Sequence, residues 1–459
     1  ATRSRRNSED ERICFHECHP GYYSIARAAG IREAPCKAKA PVRDNGIHEW
    51  VPLSGIVAEL RGNDLRCLSL ALFAEITFLS ASRRTGMKCL PQAKLPLARG
   101  NVLHDWHAEV LAIRAFNRFV LDECKVLAEG GPDAESLFLR RRRVDELQEV
   151  VTTTTTTPWC GQPFAWRDDV KLHMYCSEAP CGDASMELTM AAQADATPWE
   201  VPPSPIAAEP TPTAAPLLPG RAYFQHLGVP ARGDAPATLS KSCSDKLALR
   251  QCTSLLSSTA SLLVSPTNAY LSTLVLPASQ HSVTGCERAF SARGRMAAMK
   301  EKTEDLLAGG YRFAPFRVDT TDLEFAYSRR GVISRLAREG GVVAAGVGAD
   351  KMAASNLAVA WTASGLEEAS LGGTLQGRKL FDPRGASFAS RRKMWALAAE
   401  IASMLGAELV GLQKTLAAQN YAELKQSGML QPRMDVKRKA TSIALKGWAK
   451  NQGDDDFSL

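Results

Sequence analysis

The chain alternates between two periodicities, and this alternation limits its fold more than any other feature. Glu109–Val126 (EVLAIRAFNRFVLDECKV) carries apolar residues at helical spacing, with Asp105 marking its start. Val170–Tyr175 (VKLHMY) alternates as a strand does, breaks at Pro180 and resumes as a helix through ASMELTMAA. Cys243–Leu256 reads as a helix, with Ser242 or Ser244 placed to cap it. Leu271–Leu276, Gly341–Val347 and Leu357–Trp361 read as strands, and long helices follow at Ser390–Leu405 and Gly411–Gln426. Strands alternating with helices require a sheet covered by helices, an α/β fold.

Composition narrows the class. The 459 residues are 45% hydrophobic and 23% charged, which excludes wholesale disorder, and the formal charge of +7 suits an RNA partner without requiring one. Twelve cysteines are too sparse and irregular for a disulfide scaffold. Cys67, Cys124 and Cys252 sit in apolar stretches, where a free thiol behaves as a small hydrophobe. The opening ATRSRRNSEDER has no apolar signal core, and the apolar stretches Leu68–Ala81 and Leu255–Pro277 are too interrupted to span a bilayer. A reduced, intracellular, soluble protein with no membrane partner is expected. Three stretches break the pattern: the polar residues 1–36, residues 128–160 and the proline-rich loop 196–220. The second holds the run Arg140–Arg143, read as a solvated charged face, and the tract Thr152–Thr157.

Three segments carry chemistry: HDWHAEVLAIRAF (His104–Phe116), YCSEAPCGDAS (Tyr175–Ser185) and SCSDKLALR (Ser242–Arg250). His107 and Glu109 supply a metal ligand and a nearby carboxylate at a helix start. Cys181 supplies a second ligand at another, where the helix dipole favours a thiolate. Hydrolytic deamination needs this kind of set: a zinc with three protein ligands and an open position, and a proton shuttle beside it. The short P-C-x-x-C form fails, because its second position is Ala184. The residues leave Cys243, at a helix start, and Cys176, on or next to a strand, as alternatives for the third ligand. Each part is weak alone. Their order and placement make the set specific.

With TGMKCLP (Thr85–Pro91), these segments resemble the editase domain of RNA adenosine deaminases, and within that family the tRNA-specific enzymes of fungi. The likeness runs from Lys37 to Leu459, with RDNGIHEWVPLSGIVA (Arg43–Ala58) and GDDDFSL (Gly453–Leu459) near its ends. It implies a cytidine-deaminase-like α/β/α sandwich with a mixed sheet, enlarged by C-terminal helices. It also implies inserts at 72–84, 128–160 and 196–220, and leaves residues 1–36 unassigned. By the resemblance His107, Cys181 and Cys243 are the zinc ligands and Glu109 is the proton shuttle. The implied reaction is adenosine to inosine beside the anticodon of alanine tRNA, with a duplex-editing enzyme or a non-catalytic RNA-binding subunit as rivals. No DNA partner is expected. Relatives bury inositol hexakisphosphate, which places Arg114, Lys246, Lys393, Tyr421, Lys425 and Trp448 in a basic cage. Separately, Lys88 in TGMKCLP is read as a contact to an RNA phosphate, with a plain surface lysine as the alternative.

The chain departs from the family in four places. Leu72–Arg84 is inserted, residues 1–36 differ, and the loop GVPARGDAPATLS lacks a basic stretch that links the zinc site to the polyanion in relatives. Asn451 stands near where some relatives place a cage lysine.

Overall fold

The computed structural model describes residues 46–72, 89–148, 159–191, 238–300, 308–338, 352–406, 409–448 and 451–459. Several expectations fall outside these residues: the segments 1–36, 73–84, 152–157 and 196–220, the strand at Gly341–Val347, Lys88, and the shortened loop as far as Ala237.

Eight strands make one mixed sheet: β1 (Leu53–Glu59), β2 (Leu65–Leu72), β3 (Lys171–Cys176), β4 (Leu271–Pro277), β5 (Arg317–Thr321), β6 (Leu357–Thr362), β7 (Glu367–Leu371) and β8 (Thr374–Leu375). Their spatial order is β8-β7-β6-β2-β1-β3-β4-β5. The ladders from β8 to β3 are antiparallel, and β3, β4 and β5 run parallel. Strand β1 is buried at six successive positions, the small polar Ser54 among them, so its sequence shows no regular alternation. That is why periodicity alone does not reveal it.

Eight helices matter here: α1 (Ala108–Glu129), α2 (Met186–Ala191), α3 (Cys243–Thr253), α4 (Val283–Phe290), α5 (Arg391–Met404), α6 (Val410–Leu416), α7 (Tyr421–Gln426) and α8 (Gln431–Ile443). The long apolar face of α1, including Leu111, Ala112, Ala115, Phe116 and Phe119, packs across β1, β2 and β6 and against α5. Helix α3 packs against α4 and α8. The fold is α/β, with a large mixed sheet and several helices.

The structure corrects several boundaries. The helix expected over Gly411–Gln426 is two, because the Asn420 side chain accepts the Glu423 N–H and starts α7 afresh. Helix α3 stops at Thr253, where Ser254 turns to φ 57°. Helix α8 was not expected: only Pro432, Val436 and Ala440 are buried along it, too narrow a stripe to show in its sequence. The arginine run is not a solvated face. Arg140 makes a paired bond with Glu146 at 2.7 and 2.8 Å, Arg141 donates to the Leu127 and Gly131 carbonyls, and Arg142 donates to the Cys160 and Glu146 carbonyls. Only Arg143 stays exposed, beside Asp145. The described cysteines are all free.

Candidate metal centre and basic cluster

Three chain segments meet at the start of α1. His107 is its N-cap residue, and Glu109 lies in its first turn. Asp105 does not cap the helix. It accepts from the His107 backbone N–H at 2.9 Å and faces the ring Nδ1 at 2.8 Å. Cys181 precedes a 3-10 turn (Asp183–Ser185) that runs into α2, so the expected helix follows but Cys181 stands ahead of its start and not on it. Cys243 is the first residue of α3, and Ser242, not Ser244, caps it by accepting the Asp245 N–H.

The two cysteine segments are held close together. The Cys243 N–H donates to Cys181 Sγ at 3.3 Å, and the Ser244 N–H to the Cys181 carbonyl at 3.0 Å. Gly182 adopts φ 102°, and a Cβ there would lie 2.5 Å from Ser242 Oγ, so a side chain has neither the backbone freedom nor the space.

The ligand atoms of His107, Cys181 and Cys243 lie within 4.8 Å of one another. One imidazole and two thiols are a zinc-type donor set, and all three must lose protons to bind a cation. The neighbouring charges favour part of that change. The hydrogen bond from Cys243 outweighs burial at Cys181 and, with His107 nearby, holds its thiol well below the usual range. The same bond and burial push Cys243 up. Burial opposes charge on His107, yet Asp105 raises its pKa well above the ordinary value. Burial likewise opposes charge on Asp105, but Lys246 and His107 hold it well below the carboxylate range.

Glu109 is buried, and its Oε2 accepts from Cys243 Sγ at 3.5 Å. Cys176 lies elsewhere: at the end of β3 its sulfur accepts from Ser54 Oγ at 3.3 Å, and it belongs to no donor group among the described residues. A second group, Cys89, Asp105 and His107, shares the imidazole. Asp105 is the hub, bonded also to Lys246 Nζ and to Ser240 Oγ at 2.6 Å. A continuous polar path therefore runs from Lys246 through Asp105 to His107, although much of the shortened loop lies outside the described residues.

Beyond Lys246 lies a cluster of cations. Burial and Arg391 lower the Arg114 pKa to about 10. Burial, Arg433 and Arg114 lower that of Arg250 to about 9. Burial and Lys246 lower that of Lys241 to about 8. Desolvation with Lys425, Arg433, Lys241 and Arg250 lowers that of Lys437 to about 7. The Trp448 ring centre is 5.4 Å from Lys241 Nζ and 5.8 Å from Lys437 Nζ, and Arg391 is 5.9 Å from the Tyr421 ring centre. So many like charges in partly desolvated surroundings cost free energy that an anion with many charges offsets.

Of the residues singled out from the sequence, Arg114, Tyr421, Lys425 and Trp448 join this cluster, and Lys246 borders it on Asp105. Lys393 does not: it is exposed, and the charge it faces is Glu368. Arg391, two residues earlier, points inward to His104 and Asp454. Lys241, Arg250, Arg433 and Lys437 were missed, although helical spacing carried a signal, since Arg250 follows Lys246 by one turn and Lys437 follows Arg433 by one turn. Lys241 also donates to Asn451 at 3.1 Å, bringing a cation to the place where that asparagine stands.

The family model for the adenosine-deaminase (editase) domain matches residues 82–452. The tRNA-specific adenosine deaminase 1 of Schizosaccharomyces pombe is 36% identical over 297 residues, covering 63% of this chain and 65% of that protein. The protein of the same name from Saccharomyces cerevisiae is 31% identical over 222 residues, covering 47% and 48%. The Homo sapiens one is 31% identical over 139 residues, covering 30% and 24%. Each match spans less than two thirds of the relative's own length. With residues 82–452 of its 459 matched, the chain belongs to the adenosine-deaminase (editase) domain family.

Proposed function

We propose that this chain converts adenosine to inosine in a transfer RNA, beside the anticodon of alanine tRNA, by zinc-dependent hydrolytic deamination. The observation that carries the reading is the buried Glu109 carboxylate, 3.5 Å from Cys243 Sγ and beside three clustered donors, in a chain of the editase family. A purely structural metal site has no need of such a carboxylate. Relatives named tRNA-specific support the substrate class.

His107, Cys181 and Cys243 would hold the zinc, with a fourth position left for water. When bound, zinc supplies the Lewis acidity that makes a water nucleophilic near neutral pH. Glu109 takes one proton from the attacking water and delivers it to N1 of an adenine flipped out of its loop as the C6–O bond forms. It then moves the proton of the new C6 hydroxyl to the amine, so the C6–N bond breaks, ammonia leaves and the C6 carbonyl remains. Asp105 engages His107 Nδ1, fixing the ring and leaving Nε2 as the donor. The basic cluster takes inositol hexakisphosphate as a buried structural polyanion, held by Arg114, Tyr421, Lys425 and Trp448 together with Lys241, Arg250, Arg391, Arg433 and Lys437. Lys246 couples it to Asp105. Lys88 contacts an RNA phosphate, and a tRNA substrate sets the reaction inside the cell.

The test is inosine formation in an alanine-tRNA transcript incubated with purified protein, with Glu109→Gln alongside. Inosine next to the anticodon, absent with the variant, supports reaction, substrate and shuttle together. Inosine in a long duplex but not in tRNA moves the substrate class. No inosine in either, from folded zinc-loaded protein, leaves a non-catalytic RNA-binding role.

A further inference from the structure

The two cysteine segments share a second tie that lies outside the chemistry described above. Asp183 stands two residues after Cys181, and Asp245 two residues after Cys243; the side chains of both are almost fully buried. Arg295, itself only 4% exposed, reaches both of them. Its Nη1 donates to Asp245 Oδ1, while its Nε donates to the Ala289 carbonyl at 3.4 Å and lies 3.6 Å from Asp183 Oδ2 as an ion pair. Arg288, on α4, closes the other side. It donates to Asp183 Oδ1 at 2.5 Å, to the Asp183 carbonyl at 2.9 Å and to Glu187 at 2.6 Å. The turn that carries Arg295 is packed too tightly for a side chain at Gly294, where a Cβ would meet the Glu287 carbonyl at 2.3 Å. The arginine is thus fixed at its base as well as at its head.

We propose that Arg295 is a positioning residue that sets the spacing of Cys181 and Cys243 by bridging Asp183 and Asp245, so that both thiols reach one metal ion before it binds. This rests on the zinc ligation proposed above and adds a determinant beyond the ligands. Two segments far apart in sequence, 181–185 and 242–245, hold thiols that repel once ionised. A guanidinium between their two carboxylates opposes that separation, and its rigid plane lets it bond Asp245 and the Ala289 carbonyl while its charge faces Asp183, which an ammonium does less well. Partners behind the ligands commonly govern metal affinity in this way.

The test uses the full chain as wild type, Arg295→Met, Arg295→Lys, Asp245→Asn and Cys243→Ser. Zinc affinity is read by chelator competition, and melting is followed with and without zinc. The expected result is about a 10–100-fold loss of zinc affinity in Arg295→Met, with a smaller zinc-induced rise in Tm. Arg295→Lys, which keeps the charge but not the fork, recovers part of the loss. If Arg295→Met does not fold, Asp245→Asn removes the charge of the same contact and is expected to lose affinity several-fold. Zinc affinity equal to wild type in the folded variants, or the same drop in Tm with and without zinc, overturns the proposal and leaves Arg295 a general structural residue. A wild type that binds zinc no better than Cys243→Ser instead removes the metal site itself, and with it this inference.

Discussion

Asp105 shows how one buried carboxylate organises several neighbours. It holds the His107 ring by Nδ1 and takes Lys246 and Ser240 on its other oxygen, so the imidazole, the helix start and the edge of the basic cluster share one anchor. Glu109 lies against Cys243. Replacing it with Gln keeps size and polarity but removes the proton-accepting oxygen. We expect kcat to fall by about 10²–10⁴-fold, with zinc content and melting temperature unchanged, measured by single-turnover inosine formation and metal analysis. His104 gives a pH signature at the same scale. Burial and Arg391 lower its pKa from 6.5 to about 4, against Asp454. The unfolded chain therefore takes up a proton between about pH 6.5 and 4 that the native protein refuses, so stability falls as pH drops through that window. Urea midpoints across this range should show the slope, and His104→Asn should reduce it.

At the scale of elements, short devices at helix ends place the chemistry. Ser242 caps α3 one residue before Cys243, and its loss leaves the Asp245 N–H without that acceptor. Ser242→Ala should cost about 1 kcal/mol in chemical denaturation. The C-terminal segment acts as a strap. Asp454 accepts the Gly100 N–H at 2.7 Å and pairs with His104 at 2.5 Å, while Phe457 stacks on Tyr421 at 4.9 Å and meets Trp395 edge-on. Gly100 leaves room for that ring, since a Cβ there would lie 2.4 Å from it. Phe457→Ala should cost about 3–5 kcal/mol and weaken polyanion binding, because Tyr421 and Arg391 lose their support. Denaturation and calorimetry on the same variant measure both effects.

Across the whole molecule, cations from α1, α3, α5, α7 and α8 converge, and their mutual repulsion adds to burial in lowering their pKa values. Lys437 and Lys241 are lowered from 10.5 to about 7 and about 8. In anion-free protein the unfolded chain binds more protons between about pH 7 and 10.5, so stability should rise with pH across that window. A bound polyanion restores those protons, so binding should take up protons and weaken as pH rises above about 7. Calorimetry in buffers of different ionisation enthalpy reads the proton uptake, and melting curves read the stability. No helix among the described residues is long and apolar enough to cross a membrane.

Amphipathic order is local, so α1, α3, α5 and strands β3, β4 and β6 were legible in the sequence, whereas His107, Glu109 and Cys181 were candidates only as a set, each short motif being weak alone. Cys243 was separable from Cys176 by resemblance, not by spacing. The structure places Cys176 against Ser54 at the end of β3, while the turn at Gly182 brings Cys181 within 3.3 Å of the Cys243 N–H. Strand β1 and helix α8 stayed hidden because one is buried on both faces and the other turns a polar face to the basic cluster. Contacts between residues distant in the chain decided the rest: Arg391 and not Lys393 faces Arg114, Arg141 and Arg142 bind carbonyl groups, and Arg295 spans Asp183 and Asp245. Periodicity records which way a residue faces on its own element, whereas the partner of a charge is set by which elements pack together.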